Sequence, residues 1–231
     1  MREYRNEWKY CCTEGELALL SARVKNLLSV DDYALSEDTY GIHSIYFDDY
    51  KNTCANDNAM GAERRYKWRI RYYSGPKKSL HLELKHKKFG RTHKESCPLT
   101  KKELAFILDR QPEEILWKTK YNLLRKFCYA IMTRNFQPKA IIYYERIAYV
   151  DQIANIRITL DKNISASKDF DRFITGDYQK IPIQEGNKQV LEVKFNQILP
   201  SYIRDIVNSH GFKQTSFSKY YLGRKKLEEL V

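Results

Sequence analysis

The residues from Arg64 to Tyr73, RRYKWRIRYY, place a basic side chain at every second position. Successive side chains of a β-strand point to opposite faces, so a strand over this stretch has one cationic face. Arg presents a planar fork that matches phosphate oxygens and Lys a compact point charge, so such a face could bind a phosphorylated anion. The basic face consists of Arg65, Lys67, Arg69 and Arg71.

Other stretches repeat this division into a charged face and an apolar face. In LHLELKHK, Glu83, Lys85 and Lys87 share one face, and leucines occupy the other. Every such face mixes a few acids among the bases. The same alternation yields Arg5, Glu7 and Lys9 in YRNEWKY, Arg157, Thr159 and Asp161 in NIRITLD, and Glu192 and Lys194 in VLEVKF.

Two architectures satisfy this alternation. In an ordinary sheet the apolar faces form the core and the charges are solvated, and the patterning alone favours this interpretation. In a closed barrel of about eight strands, the charges line an interior that can hold one ligand. Amphipathic helices would then cover the apolar outer wall. Trp68 and Tyr72, which belong to this wall, would pack outward against these helices. Burying so many like charges is costly unless an anion pairs with them, so the barrel implies an anionic ligand.

The composition also indicates an anionic partner. The 231 residues include 41 Lys+Arg and 29 Asp+Glu, a formal net charge of +12, which suits nucleic acid, phosphate or a membrane surface. The length fits a single domain over residues 1–231. Five cysteines lack CxxC spacing and five histidines lack metal-binding patterns. No apolar run suits a signal peptide or a transmembrane helix, so we expect a cytoplasmic protein with no membrane segment.

Capping residues and apolar spacing predict the elements around these strands. Capping boxes at Thr13 and Thr100, each with a Glu three residues later, begin two helices, and the first runs to about Leu28. Eight strands are expected near residues 4–10, 42–48, 65–73, 80–87, 91–96, 141–150, 154–160 and 190–195, further helices over 121–132 and 202–209, and a surface excursion over 161–189.

Eight short motifs follow one another along the chain: YRNEWKY, SIYFDD, WRIRYY, LELKHK, YYERIAYV, IRITLDKNI, LEVKF and SFSKYYLG. In this order they resemble the VTC domain, the polyphosphate polymerase module of the triphosphate tunnel superfamily. The resemblance implies an α+β fold, an antiparallel eight-stranded tunnel barrel with a charged interior, flanked by amphipathic helices. It also implies binding of ATP, triphosphate and polyphosphate, and Mg²⁺- or Mn²⁺-assisted transfer of the ATP γ-phosphoryl group to a growing polyphosphate chain. The barrel therefore becomes the favoured architecture.

The resemblance assigns roles by motif position. Glu192 would hold the divalent ion, because carboxylate oxygens bind Mg²⁺ or Mn²⁺. Ser218 would act as a hydrogen-bond donor through its hydroxyl group. Glu7 and Glu83 have the same strand parity as the tunnel face. They would either bind metal or form internal ion pairs with Lys and Arg. Phosphate binding and catalysis fall to Lys9, Arg69, Arg71, Lys85, Arg146, Arg157, Lys194 and Lys219. Solvated positions at the rim or surface are expected for Arg65, Lys67, Lys87 and Lys94.

Two other functions remain open. An inorganic or nucleoside triphosphatase would use the same tunnel with water as the acceptor. Related CYTH triphosphatases begin with a Glu-x-Glu-x-Lys signature, whereas this chain has Arg5, Glu7 and Lys9, which favours holding a long anion. A nucleic-acid-binding protein would explain the charge and the many tyrosines. Acids recur on the basic faces, however, so no nucleic acid partner is expected.

Overall fold

A computed structural model describes residues 4–31, 39–75, 78–184, 188–208 and 211–230 of the chain. Within these ranges the chain forms ten strands and seven helices. The strands are β1 (Asn6–Cys12), β2 (Ser29–Val30), β3 (Tyr40–Asp48), β4 (Arg64–Tyr73), β5 (Leu80–Lys88), β6 (Arg91–Leu99), β7 (Gln137–Asp151), β8 (Ile156–Ser167), β9 (Ile181–Pro182) and β10 (Gln189–Phe195). The helices are α1 (Glu14–Lys25), α2 (Thr53–Ala59), α3 (Lys101–Leu108), α4 (Glu113–Leu116), α5 (Asn122–Arg134), α6 (Ser201–Asn208) and α7 (Lys219–Glu228).

Eight of the strands form one continuous antiparallel path, in the order β1-β10-β8-β7-β3-β4-β5-β6. The short strands β2 and β9 pair beside this path with β7 and β8. The two ends of the path meet at an isolated bridge, in which the amides of Arg5 and Thr92 donate to each other's carbonyl oxygens over 2.9 and 2.8 Å. The sheet therefore curls into a barrel, and the predicted antiparallel tunnel fold is confirmed.

The outer wall of the barrel is apolar and covered, as predicted. Trp68 packs against Phe127 of α5 with ring centroids 4.9 Å apart. Tyr72 also faces outward, but it packs against a loop and not a helix: its ring lies 5.0 Å from that of Phe173 and its hydroxyl donates to the Phe173 carbonyl over 2.8 Å. Loops as well as helices therefore pack against the outer wall.

The capping boxes at Thr13 and Thr100 form as predicted and begin α1 and α3. Helix α1 ends at Lys25, before the predicted end near Leu28, and buries Leu17, Leu20 and Val24 in a cluster with the outward apolar side chains of β8 and β10. No helix in the described ranges has both the length and the apolar composition needed to cross a membrane.

Several element boundaries differ from the prediction. Strand β8 continues to Ser167, because its alternation persists beyond the polar residues that suggested a surface excursion from residue 161. Helices α2, α4 and α7 lie where no helix is expected. The predicted helix end at Ser209, and residues 185–187 of the excursion, lie outside the described residues.

Candidate functional site

The charged strand faces enclose a small space of about 80 Å³ inside the barrel, which we call the inner cavity. Its walls come from six strands and from the start of α7. Among the described residues, eight basic side chains and one carboxylate line it. The lining residues are Lys9, Tyr46, Lys67, Arg69, Arg71, Lys85, Tyr144, Arg146, Glu192, Lys194, Ser218, Lys219 and Tyr220.

The predicted site residues converge on this cavity, with one exception. Arg157 has the predicted strand parity but is not among the lining residues. Its guanidinium pairs with Asp31 at 2.5 Å and donates to the Tyr40 hydroxyl over 3.1 Å. The expectation that Arg157 shares this cavity is therefore corrected. The predicted residues that do line it are Lys9, Arg69, Arg71, Lys85, Arg146, Glu192, Lys194, Ser218 and Lys219.

Arg71 is a deeply buried cation with neutral partners. Its residue is 5 % exposed, its Nε donates to Ser44 Oγ over 2.9 Å, and its Nη2 donates to the Tyr144 hydroxyl over 3.0 Å. Within the described chain, no carboxylate lies within ion-pair distance of it. A buried cation of this kind favours binding of an anion that supplies the missing charge.

Arg69 differs from Arg71 because a carboxylate holds it. Its Nε and Nη2 both lie 2.6 Å from Glu83 Oε2, and Lys94 Nζ lies 2.7 Å from the other oxygen. Burial alone would raise the pKa of Glu83, but the neighbouring cations Arg69 and Arg71 outweigh burial and hold that pKa well below its usual range. Glu83 therefore stays ionised and fixes the direction of the Arg69 guanidinium.

Asp161 has the same effect on two other cations. Its side chain is fully buried, and it receives Arg146 in a two-pronged contact, Nε to Oδ1 at 2.6 Å and Nη2 to Oδ2 at 2.8 Å. Lys219 Nζ lies 2.6 Å from Oδ2. Burial opposes ionisation, but Arg146 and Lys219 together lower the pKa of Asp161. This carboxylate therefore orients two cations that line the cavity.

A network of lysines and glutamates completes the wall between β5, β1 and β10. Glu7 receives Lys85 at 2.6 Å and Lys9 at 3.0 Å, while Glu192 receives Lys194 at 2.5 Å and Lys9 at 3.8 Å. Burial lowers the pKa of Lys194 to about 8, because it outweighs the attraction of Glu192. Glu7 and Glu83 both make the internal ion pairs that were one of their two predicted roles.

Helix α7 brings its first residues to the cavity. Ser218 caps the helix by accepting a hydrogen bond from the Tyr221 amide over 3.2 Å, which is a common N-cap interaction. A Cβ at Gly223 would lie 2.3 Å from Ile142 Cδ1, so only glycine lets α7 approach β7 this closely. The close approach positions Ser218 and Lys219 against the charged interior.

Comparison with known protein families gives a match to the VTC domain over residues 4–228. The chain belongs to the VTC domain family. No curated protein matches it.

Solved structures share the fold of this VTC domain at low sequence identity. The putative adenylyl cyclase HpAC1 from Hippeastrum aligns with a TM-score of 0.57 and 14% identity over 97% of this chain and 96% of its own. A putative adenylate cyclase from Bacillus halodurans aligns with a TM-score of 0.56 and 11% identity, over 94% and 95%. The PH1819 protein from Pyrococcus horikoshii OT3 aligns with a TM-score of 0.52 and 13% identity, over 98% and 99%. At these identities the likeness shows the fold alone.

Lys67 lines the inner cavity of the VTC domain, contrary to its predicted solvated position. Lys67 is not a solvated rim charge: its Nζ donates to Asn58 Oδ1 over 2.7 Å and to Ser218 Oγ over 2.8 Å. Its strand parity with Arg69 and Arg71 is the signal that identifies it. The other missed lining residues are Tyr46, Tyr144 and Tyr220.

The VTC domain offers one carboxylate to a divalent ion inside the cavity. No group of three or more His, Cys, Asp or Glu residues suited to a metal ion occurs in the part of the chain that the structure describes. Mg²⁺ is commonly held by one or two carboxylates together with substrate phosphates. Glu192, the lining carboxylate, therefore fits an ion that shares its coordination with phosphate oxygens, and does not form a complete protein cage.

Proposed function

We propose that this VTC domain is a polyphosphate polymerase, which transfers the γ-phosphoryl group of ATP to a growing polyphosphate chain. The observation that carries the proposal is the inner cavity, which eight basic side chains and one carboxylate line among the described residues. A polyphosphate carries about one negative charge per phosphate unit, so its binding compensates this excess of positive charge. The family membership supports the same assignment.

In this proposal the basic residues bind and align the phosphates. Arg71 has only neutral partners, so its charge is available to a phosphate oxygen. Arg146 and Lys219 are already oriented by Asp161 and lose little freedom when a phosphate binds. A terminal oxygen of the polyphosphate attacks the γ-phosphorus, and the bond from that phosphorus to the bridging oxygen breaks. The electron pair leaves with ADP, and the basic residues neutralise the charge on the oxygens.

Glu192 is the residue that would hold Mn²⁺ or Mg²⁺. Such an ion would supply positive charge that offsets the negative charge of the phosphate oxygens during transfer. Glu192 would otherwise repel a phosphate directly, so the ion gives this carboxylate a use in the site. Lys194, 2.5 Å from Glu192, and Lys9 would be free to contact phosphate once the ion balances the carboxylate.

The test of this function is incubation of the purified protein with ATP and Mn²⁺ or Mg²⁺, with separate assays for polyphosphate, ADP and free phosphate. We expect long polyphosphate together with ADP in the wild-type reaction and a large loss in Arg71→Ala. Arg64→Ala, on the same strand but with an exposed side chain on the opposite face, is the matched control. Free phosphate as the sole phosphorus product would reject synthesis.

A triphosphatase that uses water as acceptor is the second candidate, because HpAC1, which shares the fold, is described as having a dominant triphosphatase activity. Arg5 does not separate the two enzymes as the sequence suggested. It lines neither the inner cavity nor its opening and donates to the Asn155 carbonyl over 2.7 Å, so it adds no phosphate contact. The product assay therefore carries the distinction.

A nucleic acid partner is not part of the proposal, because the inner cavity, at about 80 Å³, suits a narrow inorganic chain better than a base-bearing strand. We also infer a cytoplasmic location. ATP is available there, and the five cysteines, all free, would stay reduced.

A further inference from the structure

A second and larger space of about 640 Å³ opens beside the inner cavity, and we call it the vestibule. Lys9, Lys67, Lys85 and Ser218 line both spaces, so the two are continuous. The vestibule wall is formed by strands β1, β4, β5 and β6, by helices α2 and α7, and by the segment before α7. Three further features indicate that the vestibule binds a ligand. These are the like-charged cross-strand pairs in its wall, the small number of acidic partners of its cations, and the length of the row of cations on β4.

The vestibule wall contains two consecutive like-charged cross-strand pairs. Arg65 lies opposite Lys87, and Lys67 lies opposite Lys85. Like charges directly opposite each other in an antiparallel pair are destabilising. One step further into the barrel the pairing becomes favourable, since Arg69 lies opposite Glu83. On the interior face of β4 and β5, repulsion between opposite residues is thus concentrated at the vestibule.

The cations of the vestibule have few acidic partners. Among the described residues, Glu7 is the carboxylate that lines this space, and Lys85 and Lys9 already contact it. Arg65 donates to the Ala62 carbonyl over 2.5 Å, and Lys67 donates to Asn58 and Ser218, which are neutral. Lys87 makes no hydrogen bond or ion pair within the described ranges.

Burial and mutual repulsion act on these lysines. The pKa of Lys67 is lowered well below its usual value by burial, and then by Lys9, Lys85 and Arg65, with Glu7 acting in the opposite direction. The pKa of Lys87 is lowered for the same reasons. An anion in the vestibule would reverse these shifts by stabilising the charged form.

The cations also form an extended track. Arg65, Lys67, Arg69 and Arg71 share one face of β4, and the last lies six positions after the first. At about 3.3 Å per residue, their Cα atoms span roughly 20 Å along the strand. Along the outer half of this track, Glu7 is the one lining carboxylate among the described residues, and it is already paired with Lys85 and Lys9. A track of this length therefore suits a linear polyanion that continues outward from the inner cavity.

We propose that the vestibule is a second anion-binding site, continuous with the inner cavity, in which Arg65, Lys67 and Lys87 bind the phosphate units of a linear polyphosphate that extend beyond those held in the inner cavity. These three residues would therefore set a preference for long chains over tripolyphosphate. The inference rests on the proposed function only in its choice of ligand, since it concerns binding and needs no turnover.

The test compares binding of tripolyphosphate, a long linear polyphosphate and ATP by isothermal titration calorimetry without metal. We expect the wild type to bind the long chain more tightly than tripolyphosphate. The double variant Arg65→Ala/Lys87→Ala should lose roughly tenfold in affinity for the long chain, while its affinity for tripolyphosphate stays within about twofold. Thermal unfolding without ligand should show an unchanged or raised Tm, because a repulsive pair is removed.

The neighbouring pair on the opposite strand face supplies a matched control. Arg64 and Lys88 are also an exposed cross-strand Arg/Lys pair, so Arg64→Ala/Lys88→Ala removes the same charge from the same two strands. This control should keep both affinities within about twofold.

Four outcomes would overturn the inference. An equal loss for tripolyphosphate and the long chain, an equal loss in the control, or no loss at all would each show that the vestibule has no role in chain length. A loss for ATP alone would assign the vestibule to the nucleoside. A wild type that binds none of the three ligands would instead reject the proposed function, whereas a wild type that hydrolyses ATP but keeps the chain-length preference would support the vestibule site.

Discussion

Arg71→Ala distinguishes phosphate binding from support of the fold. The residue is 5 % exposed and donates two hydrogen bonds, to Ser44 and Tyr144, both of them neutral. Hydrogen bonds to charged groups contribute about 1.5–3 kcal/mol, and each 1.4 kcal/mol is about a tenfold change in affinity. Loss of the guanidinium should therefore weaken tripolyphosphate binding roughly 10- to 150-fold.

The free energy of unfolding should respond differently. Removing Arg71 leaves no carboxylate without its ion-pair partner, since Arg69 and Lys94 still contact Glu83. It removes the longer-range attraction between Arg71 and Glu83, but also the repulsion between Arg71 and the neighbouring Arg69. The hydroxyls of Ser44 and Tyr144 would face the inner cavity, where water can replace the guanidinium. Stability should consequently change by less than about 1 kcal/mol.

Two measurements check this pair of expectations. Calorimetric titration of tripolyphosphate without metal gives the affinity, and urea denaturation gives the free energy of unfolding. Arg71→Lys keeps the charge but loses the two-pronged geometry, so its affinity should lie between those of the wild type and Arg71→Ala. Unchanged affinity in Arg71→Ala, or a loss of several kcal/mol in stability, would refute the assignment of Arg71 as a phosphate ligand with no structural role.

Three further expectations follow from the contacts around the cavity. Arg146→Ala should destabilise the fold by about 3 kcal/mol in urea denaturation, since buried Asp161 would keep only Lys219; a change below about 1 kcal/mol would contradict this. Glu192→Gln should lose metal-dependent turnover while metal-free tripolyphosphate binding persists or tightens; full turnover with an unchanged metal requirement would show that Glu192 is not the metal ligand. Affinity for long polyphosphate should fall as pH rises through the range set by the lowered pKa of Lys67, because the anion binds the charged lysine, and Lys67→Arg should reduce this pH dependence; identical profiles would exclude Lys67 as its source.

Strand parity explains why much of the site could be predicted from sequence. Whether a side chain faces the interior depends on whether it occupies an odd or an even position along the strand, which can be read from the local sequence. The alternation around Lys85 and Lys194 therefore identified two cavity residues that lie on different strands. The resemblance to the VTC domain was needed to decide that the charged face is the inner one, because patterning alone favoured solvated charges.

Parity does not give the position of a residue along the tunnel axis, and this accounts for the two main errors. Arg157 is the second residue of β8 and meets Asp31 and Tyr40 outside the inner cavity. Lys67 was assigned to the rim, but it reaches inward because Asn58 and α7 cover it. The depth of each residue depends on neighbours distant in sequence.

Asp48 of the SIYFDD motif makes structural contacts with residues far away in the sequence. Asp48 accepts hydrogen bonds from the amides of Cys54 and Ala55 at the start of α2, and from the Tyr220 hydroxyl at 2.8 Å. One carboxylate thus joins β3 to two unpredicted helices. Nothing in the local pattern near Asp48 indicates its contact with a residue more than 170 positions away.

The placement of carboxylates explains how one barrel can be both folded and ready for an anion. Glu83 and Asp161 are fully ionised partners that orient Arg69, Arg146 and Lys219, which limits the cost of burying those cations. If every cation had such a partner, the interior would have little attraction for phosphate. If none had one, the repulsion would oppose folding. Arg71, whose direct hydrogen-bond partners are neutral, supplies a cation without an ion pair deep in the tunnel. The cations of the vestibule supply positive charge at the opening, so the attraction for a polyanion extends along the track and is not confined to one point.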